Sequence, residues 1–317
     1  MTGMTAAFRN VQLARARAVS ASLVLMVGGG WGSAAAVDIG LQTRAPVDGV
    51  SRDQGRAIDP IVIERLLEVS RLPPQSARSM TQLREGVMQG LAAEVFAGRL
   101  PVKRLTAIER LAERTYGDDV LLAPIRQALE RGLRPGDAAL LLTHLRSPLG
   151  QKTLDAEDAT ARDGGAGFAR FVSTFPTLTD HEARLAAAVE MERALDFTEV
   201  VSRLGTDLQR AVLGGLSFSL PAHVRPGIDA LMTKLDAEQA TLAETMRLPM
   251  TNYLAFIYET LTLEELDALN VFVATPAARR FSAAIVAGMS GGMRRASIAF
   301  GDGLGRTLST ASLDAEI

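Results

Sequence analysis

Met80-Thr81-Gln82-Leu83-Arg84-Glu85-Gly86-Val87-Met88-Gln89-Gly90-Leu91 decides the fold class. Met80, Leu83, Val87 and Leu91, with Val95 beyond them, recur at three- and four-residue steps. That spacing gathers them on one side of an α-helix and leaves Arg84, Glu85 and Gln89 for the other. No stretch of comparable length alternates apolar and polar residues as a strand would.

Toward the N-terminus, Asp59 and Pro60 suit the cap and first position of a preceding helix in which Ile63, Leu66, Leu67 and Ser70 share a face. Pro73 and Pro74 are expected to stop it, and the longer helix then runs to about Phe96. Further helices are expected at Val102–Tyr116, Val120–Leu133 and Asp137–Leu145, joined by loops short enough for antiparallel neighbours. Ser147-Pro148 caps and restarts a helix through Lys152 and Leu154. Gly164-Gly165-Ala166-Gly167 reads as a linker.

Beyond the linker the pattern restarts. Leu83–Leu91 aligns with Leu208–Leu216 at an offset of 125 residues, and Ser147-Pro148 with Thr275-Pro276 at 128. The expectation is an all-α protein of two packed helical units, a tandem-duplicated bundle without sheet, at 57–163 and 168–308, with a flexible tail at 309–317.

The first 36 residues differ from the rest. Arg9, Arg15 and Arg17 come without an acid, an apolar run covers Ala18–Val27, and small residues follow at Ala34 and Ala36. That order is a secretory signal cleaved before Val37, and the run is too short to span a bilayer as an anchor. Residues 37–56, rich in Gly, Pro, Asp and Arg without periodicity, read as a disordered leader. The expected location is periplasmic or secreted.

Loss of those three arginines takes 34 Lys and Arg to 31 against 36 Asp and Glu, a net charge of −5. Dispersed, mildly acidic charge offers nucleic acid no footprint. Without cysteine the chain has neither disulfides nor thiolate metal sites, so stability must come from a packed core, which 47% hydrophobic residues can supply.

Glu64-Arg65-Leu66-Leu67-Glu68-Val69-Ser70, Thr262-Leu263-Glu264-Glu265-Leu266 and Ser147-Pro148-Leu149-Gly150-Gln151-Lys152 resemble motifs of a bacterial exported family known as domain of unknown function 2059. The resemblance covers most of residues 60–290. The sequence departs from the family pattern at His144-Leu145, where an aromatic pair is expected. Phe272 fits the pattern, while Thr275-Pro276-Ala277-Ala278-Arg279-Arg280 is a loose form of its last motif. The resemblance implies a helical, exported protein and transfers no activity, cofactor or catalytic residue.

Candidate chemistry is sparse. Gly288-Met289-Ser290-Gly291-Gly292 has the form of a nucleophile elbow, but it sits in helical sequence with no histidine after it. His144, His181 and His223 stand singly, without partners at metal-ligand spacing. Gly301-Asp302-Gly303-Leu304-Gly305 lacks the last glycine and the preceding strand of a phosphate loop, and is expected to be a helix end fraying into the tail. Glu264 and Glu265 suit the first turn of a helix. No catalytic, cofactor or metal site is assigned.

Ala284, Gly288 and Gly292 recur every four residues with Met289 and Met293 beside them. Such a face is either an internal packing seam or a surface for a second copy or partner, with Arg294 and Arg295 as its polar rim. The expected function is that of a non-enzymatic envelope protein acting through protein contacts. The alternative is a carrier that holds a lipid or small apolar molecule between the units, and an envelope hydrolase is the weakest reading.

Overall fold

The structure is a computed structural model that describes residues 58–96, 102–163, 166–222 and 225–313. The signal with Ala34, Ala36 and Val37, the leader, Gly164, Gly165 and His223 lie outside the described residues. Among those described the chain is helical throughout, without strand or sheet. None of these helices is long and apolar enough to cross a membrane.

The first half holds α1 (Pro60–Val69), α2 (Leu72–Phe96), α3 (Val102–Thr115), α4 (Leu122–Gly132), α5 (Pro135–Arg146) and α6 (Pro148–Asp163). The second holds α7 (Ala166–Thr174), a 3-10 turn (Phe175–Thr177), α8 (His181–Leu195), α9 (Phe197–Ser219), α10 (Arg225–Ile257), α11 (Leu263–Val273) and α12 (Pro276–Leu313).

Local chemistry explains the boundaries. Asp59 caps α1 by accepting from the Ile61 amide at 2.9 Å. Pro73 and Pro74 do not stop α1, contrary to expectation. Its end is made at Ser70 and Arg71, where Arg71 takes φ 56°, and the prolines lie in the first turn of α2, where a missing N–H costs nothing. Ala166 and Gly167, read as linker, open α7. The Gly301–Gly305 segment does not fray, because α12 runs through it to Leu313 with Gly301, Leu304 and Gly305 buried.

The two halves repeat the same devices. Arg71 and Asp196, the two non-glycine residues of positive φ among those described, each join a shorter helix to a longer one, α1 to α2 and α8 to α9. They stand 125 positions apart, the offset of the Leu83 and Leu208 stripes. Arg134 with Asp137 opens α5 and Thr262 with Glu265 opens α11, each acid at the third helical position accepting from the amide that precedes the helix. These pairs are 128 apart, as are Ser147 and Thr275, whose hydroxyls accept from the Gly150 and Ala278 amides.

The halves are interleaved rather than set side by side. α12 packs along α9 of its own half and along α3, α4 and α5 of the other, while α6 reaches α10. Buried apolar side chains form a core that runs through both halves, from Ile63, Leu66 and Ile125 to Phe281, Ile285 and Phe300.

Candidate functional site

The halves meet at His144 of α5 and Phe272 of α11, 128 positions apart, whose rings stack with centroids 3.4 Å apart and planes 7° from parallel. Two crossed ion pairs also join the halves. Arg280 of α12 donates to Asp137 of α5 through Nε at 2.7 Å and Nη2 at 2.5 Å, and Lys152 of α6 donates to Glu265 of α11 at 2.5 Å. Asp137 and Glu265 are equivalent at the 128 offset, as are Lys152 and Arg280, so each half grips the helix cap of the other.

The two pairs differ in burial. Asp137 is 6% exposed in its side chain, whereas Glu265 and Lys152 are about a third exposed. Burial would raise the pKa of Asp137, but the Arg280 guanidinium and the Arg134 amide outweigh it and hold the carboxyl below its ordinary value. Burial alone pulls His144 down to about 4, and its Nε2 has no hydrogen-bond partner.

The small-residue face on α12 is filled from within the chain. Ala284, Gly288, Met289, Gly292 and Met293 are all buried. A Cβ on Gly288 would come within 2.5 Å of the Ile125 Cα, and one on Gly292 within 3.0 Å of Leu121 Cδ2. Ala284, Gly288 and Gly292 therefore line the α12–α4 seam, and none of the five residues is exposed. A second seam joins α12 to α9, where a Cβ on Gly301 would strike the Val212 carbonyl and one on Gly215 the Ile298 carbonyl. Ser290 lies inside α12, away from any turn.

His181 is half-buried at the start of α8, with Nδ1 2.9 Å from the Leu178 carbonyl. Among the described residues no group of three or more His, Asp or Glu side chains could hold a metal ion.

One polar constellation escaped sequence reading. Just past the end of α10 the Tyr258 hydroxyl donates to Glu157 of α6 at 2.9 Å, with both residues buried. One turn earlier Tyr253 is 1% exposed, and its hydroxyl has no hydrogen-bond partner. Phe256 of α10 and Phe168 of α7 lie against its ring, and Phe171 and Phe175 extend the cluster beyond Phe256. Tyrosine is rare in this chain, three among 317 residues, and that scarcity was the available signal.

Several large apolar side chains do face solvent. Ile61 on α1 is 74% exposed, Leu140 on α5 62%, Val189 on α8 38% and Val271 on α11 72%. The helices that carry Ile61 and Val189 pack on α5 and α11 respectively. Comparison of the chain with protein families, with curated proteins and with solved structures gave no match.

Proposed function

We propose that this chain is an exported, non-enzymatic helical protein of the cell envelope that acts by binding another protein through the outer faces of the α1/α5 and α8/α11 pairs. The export reading rests on the N-terminal order of Arg9, Arg15, Arg17, the apolar run and Ala34 and Ala36, and on the resemblance carried by the helix-cap motifs.

The observation that carries the binding reading is the recurrence of exposed apolar residues. A single exposed valine or leucine is ordinary on a folded protein. Here Ile61 and Val189 are exposed on α1 and α8, the helices that pack on α5 and α11, and Leu140 and Val271 are exposed on α5 and α11 themselves. Burying one such side chain against a partner contributes about 1.5–3 kcal/mol before the costs of association. The buried acids Asp137 and Glu157 are engaged in structural contacts with Arg280 and Tyr258, which also favours a binding role over a chemical one.

The test places a photo-crosslinking residue at position 61 or 271, with position 109 as an exposed control on α3, in cells of the native host. Adducts to one envelope protein from 61 and 271, absent from 109, are expected. Equal adducts from all three positions, or none, would overturn the binding reading. The intact mass of the same preparation is expected to start at Val37, and a cytoplasmic, uncleaved chain would overturn the export reading.

A further inference from the structure

The segment from Ala166 to Leu178 lies over α10 as a strap. Only Phe171 and Phe175 of its side chains are buried, with Phe168 partly so. The rest faces outward, including two apolar residues, Val172 and Leu178, that are 42% and 43% exposed. Its first turn is held by the Gly167 amide, which donates to the Asp163 carboxylate at the end of α6.

Beneath it the aromatic rings contact one another at several angles. Phe168 meets Tyr253 edge-on at 5.2 Å, Phe171 meets Phe256 at 5.4 Å, and Phe171 stacks on Phe175 at 4.6 Å. Against Phe168 and Phe256 lies Tyr253, whose hydroxyl is shut from solvent without a partner. A tyrosine in such a place ordinarily finds an acceptor, because an unsatisfied buried hydroxyl is unfavourable relative to one in water. A segment attached by so few buried side chains is of the kind that opens locally while the core stays folded.

We propose that the strap covers a binding site for an uncharged amphiphile, whose apolar body packs among Phe168, Phe171, Phe175 and Phe256 and whose polar group accepts the hydrogen bond that Tyr253 lacks. The charge nearby selects against an anion. Asp163 stands beside the rings, since a Cβ on Gly167 would lie 2.8 Å from its Oδ2 and 3.1 Å from the Phe256 Cζ, and burial and its charge both raise the Tyr253 pKa. Val172 and Leu178 give the strap an outer apolar edge, suited to collecting such a molecule from an apolar surface. This site lies within the second half, not between the units where the carrier expectation put a ligand, and it is independent of the protein-binding reading, so either can fail alone.

The test titrates the full mature chain with 1-monooleoylglycerol and, separately, oleate, read by native mass spectrometry and by hydrogen exchange. One monooleoylglycerol per chain is expected, with slower exchange at amides 168–178 on binding. Oleate is expected to bind at least about tenfold more weakly. Tyr253→Phe keeps the ring and removes the orphaned hydroxyl, so the variant is expected to fold as well as the parent and to bind about three- to tenfold more weakly, the range of one hydrogen bond. Absence of an adduct, several adducts without a preferred stoichiometry, equal binding of oleate, or an unchanged affinity in Tyr253→Phe would each overturn the proposal. Cross-linking at positions 61 and 271 reports on the protein-binding reading and is unaffected by any of these outcomes.

Discussion

Arg280 grips Asp137 with two nitrogens across 143 positions of sequence, at the cap that opens α5. Its counterpart, Lys152 on Glu265, makes the same crossing in the opposite direction with a single nitrogen.

The two grips are expected to differ in strength. Arg280→Ala leaves a buried carboxylate with only the Arg134 amide, and about 3 kcal/mol of stability should be lost. Lys152→Ala removes a pair that is about a third exposed on both sides, and should lose about 0.5 kcal/mol. Urea unfolding of the two variants measures the difference. Arg280→Lys should fall between parent and Arg280→Ala, since an ammonium cannot reproduce the fork.

Acid should weaken the fold through His144. The folded chain keeps this imidazole neutral down to about pH 4, while the unfolded chain protonates it near its ordinary 6.5. Between those values the unfolded state binds more protons, so the contribution is fully present above pH 6.5, falls as the pH drops, and levels off below 4. Asp196 and Glu259 act the other way, because their carboxyls are raised by burial and by neighbouring acids. The comparison of parent with His144→Phe separates the effects: the stability of the variant relative to the parent should increase from pH 6.5 to 4. A constant difference across that window would show that His144 is not the acid-sensitive group.

Glycine replacements should sort by contact. Gly301→Ala would drive a methyl group onto the Val212 carbonyl and force α12 away from α9, costing about 3 kcal/mol or preventing folding. Gly90 has nothing within 4 Å of an added Cβ and lies within α2, so Gly90→Ala should stabilise by about 0.5–1 kcal/mol. Thermal melts of the two variants should move in opposite directions.

Surface changes on α11 should leave the fold intact. Val271→Glu replaces a side chain that is 72% exposed, so the expected change in stability is within about 0.5 kcal/mol. If the binding reading holds, the same change abolishes the cross-links formed from position 61 or lowers their yield severalfold. Circular dichroism and cross-link yield on one preparation give both results.

Much of the fold was legible because helices announce themselves locally. The Met80, Leu83, Leu91 stripe, the Asp59 cap and the Thr262–Glu265 box each need only a few neighbouring residues. The proline pair misled because proline forbids a helix interior yet suits its first turn, and the choice depended on Arg71 adopting a left-handed backbone. Gly301–Gly305 misled because glycine weakens a helix in isolation, while here its lack of a side chain lets α9 and α12 touch. The α12 glycine face was visible, but a periodic stripe does not name the helix it will meet, and α4 lies more than 150 positions upstream of it. The crossed pairs were within reach: the 128 offset applied to charged positions returns Asp137 with Glu265 and Lys152 with Arg280. Tyr253 and its aromatic surroundings were not, because they join segments about 80 residues apart without any repeated spacing.

The α12–α4 seam also dictates an order of events. Ile125 and Leu121 are fully buried, yet part of what covers them, around Gly288 and Gly292, leaves the ribosome more than 150 residues later. Until then the first half has an open side and must wait, its apolar surface available to chaperones, and completion depends on contacts that are distant along the chain and therefore slow to form. If the export reading holds, a chain that closes only late in its synthesis stays threadable for longer, as passage through a narrow translocation channel requires.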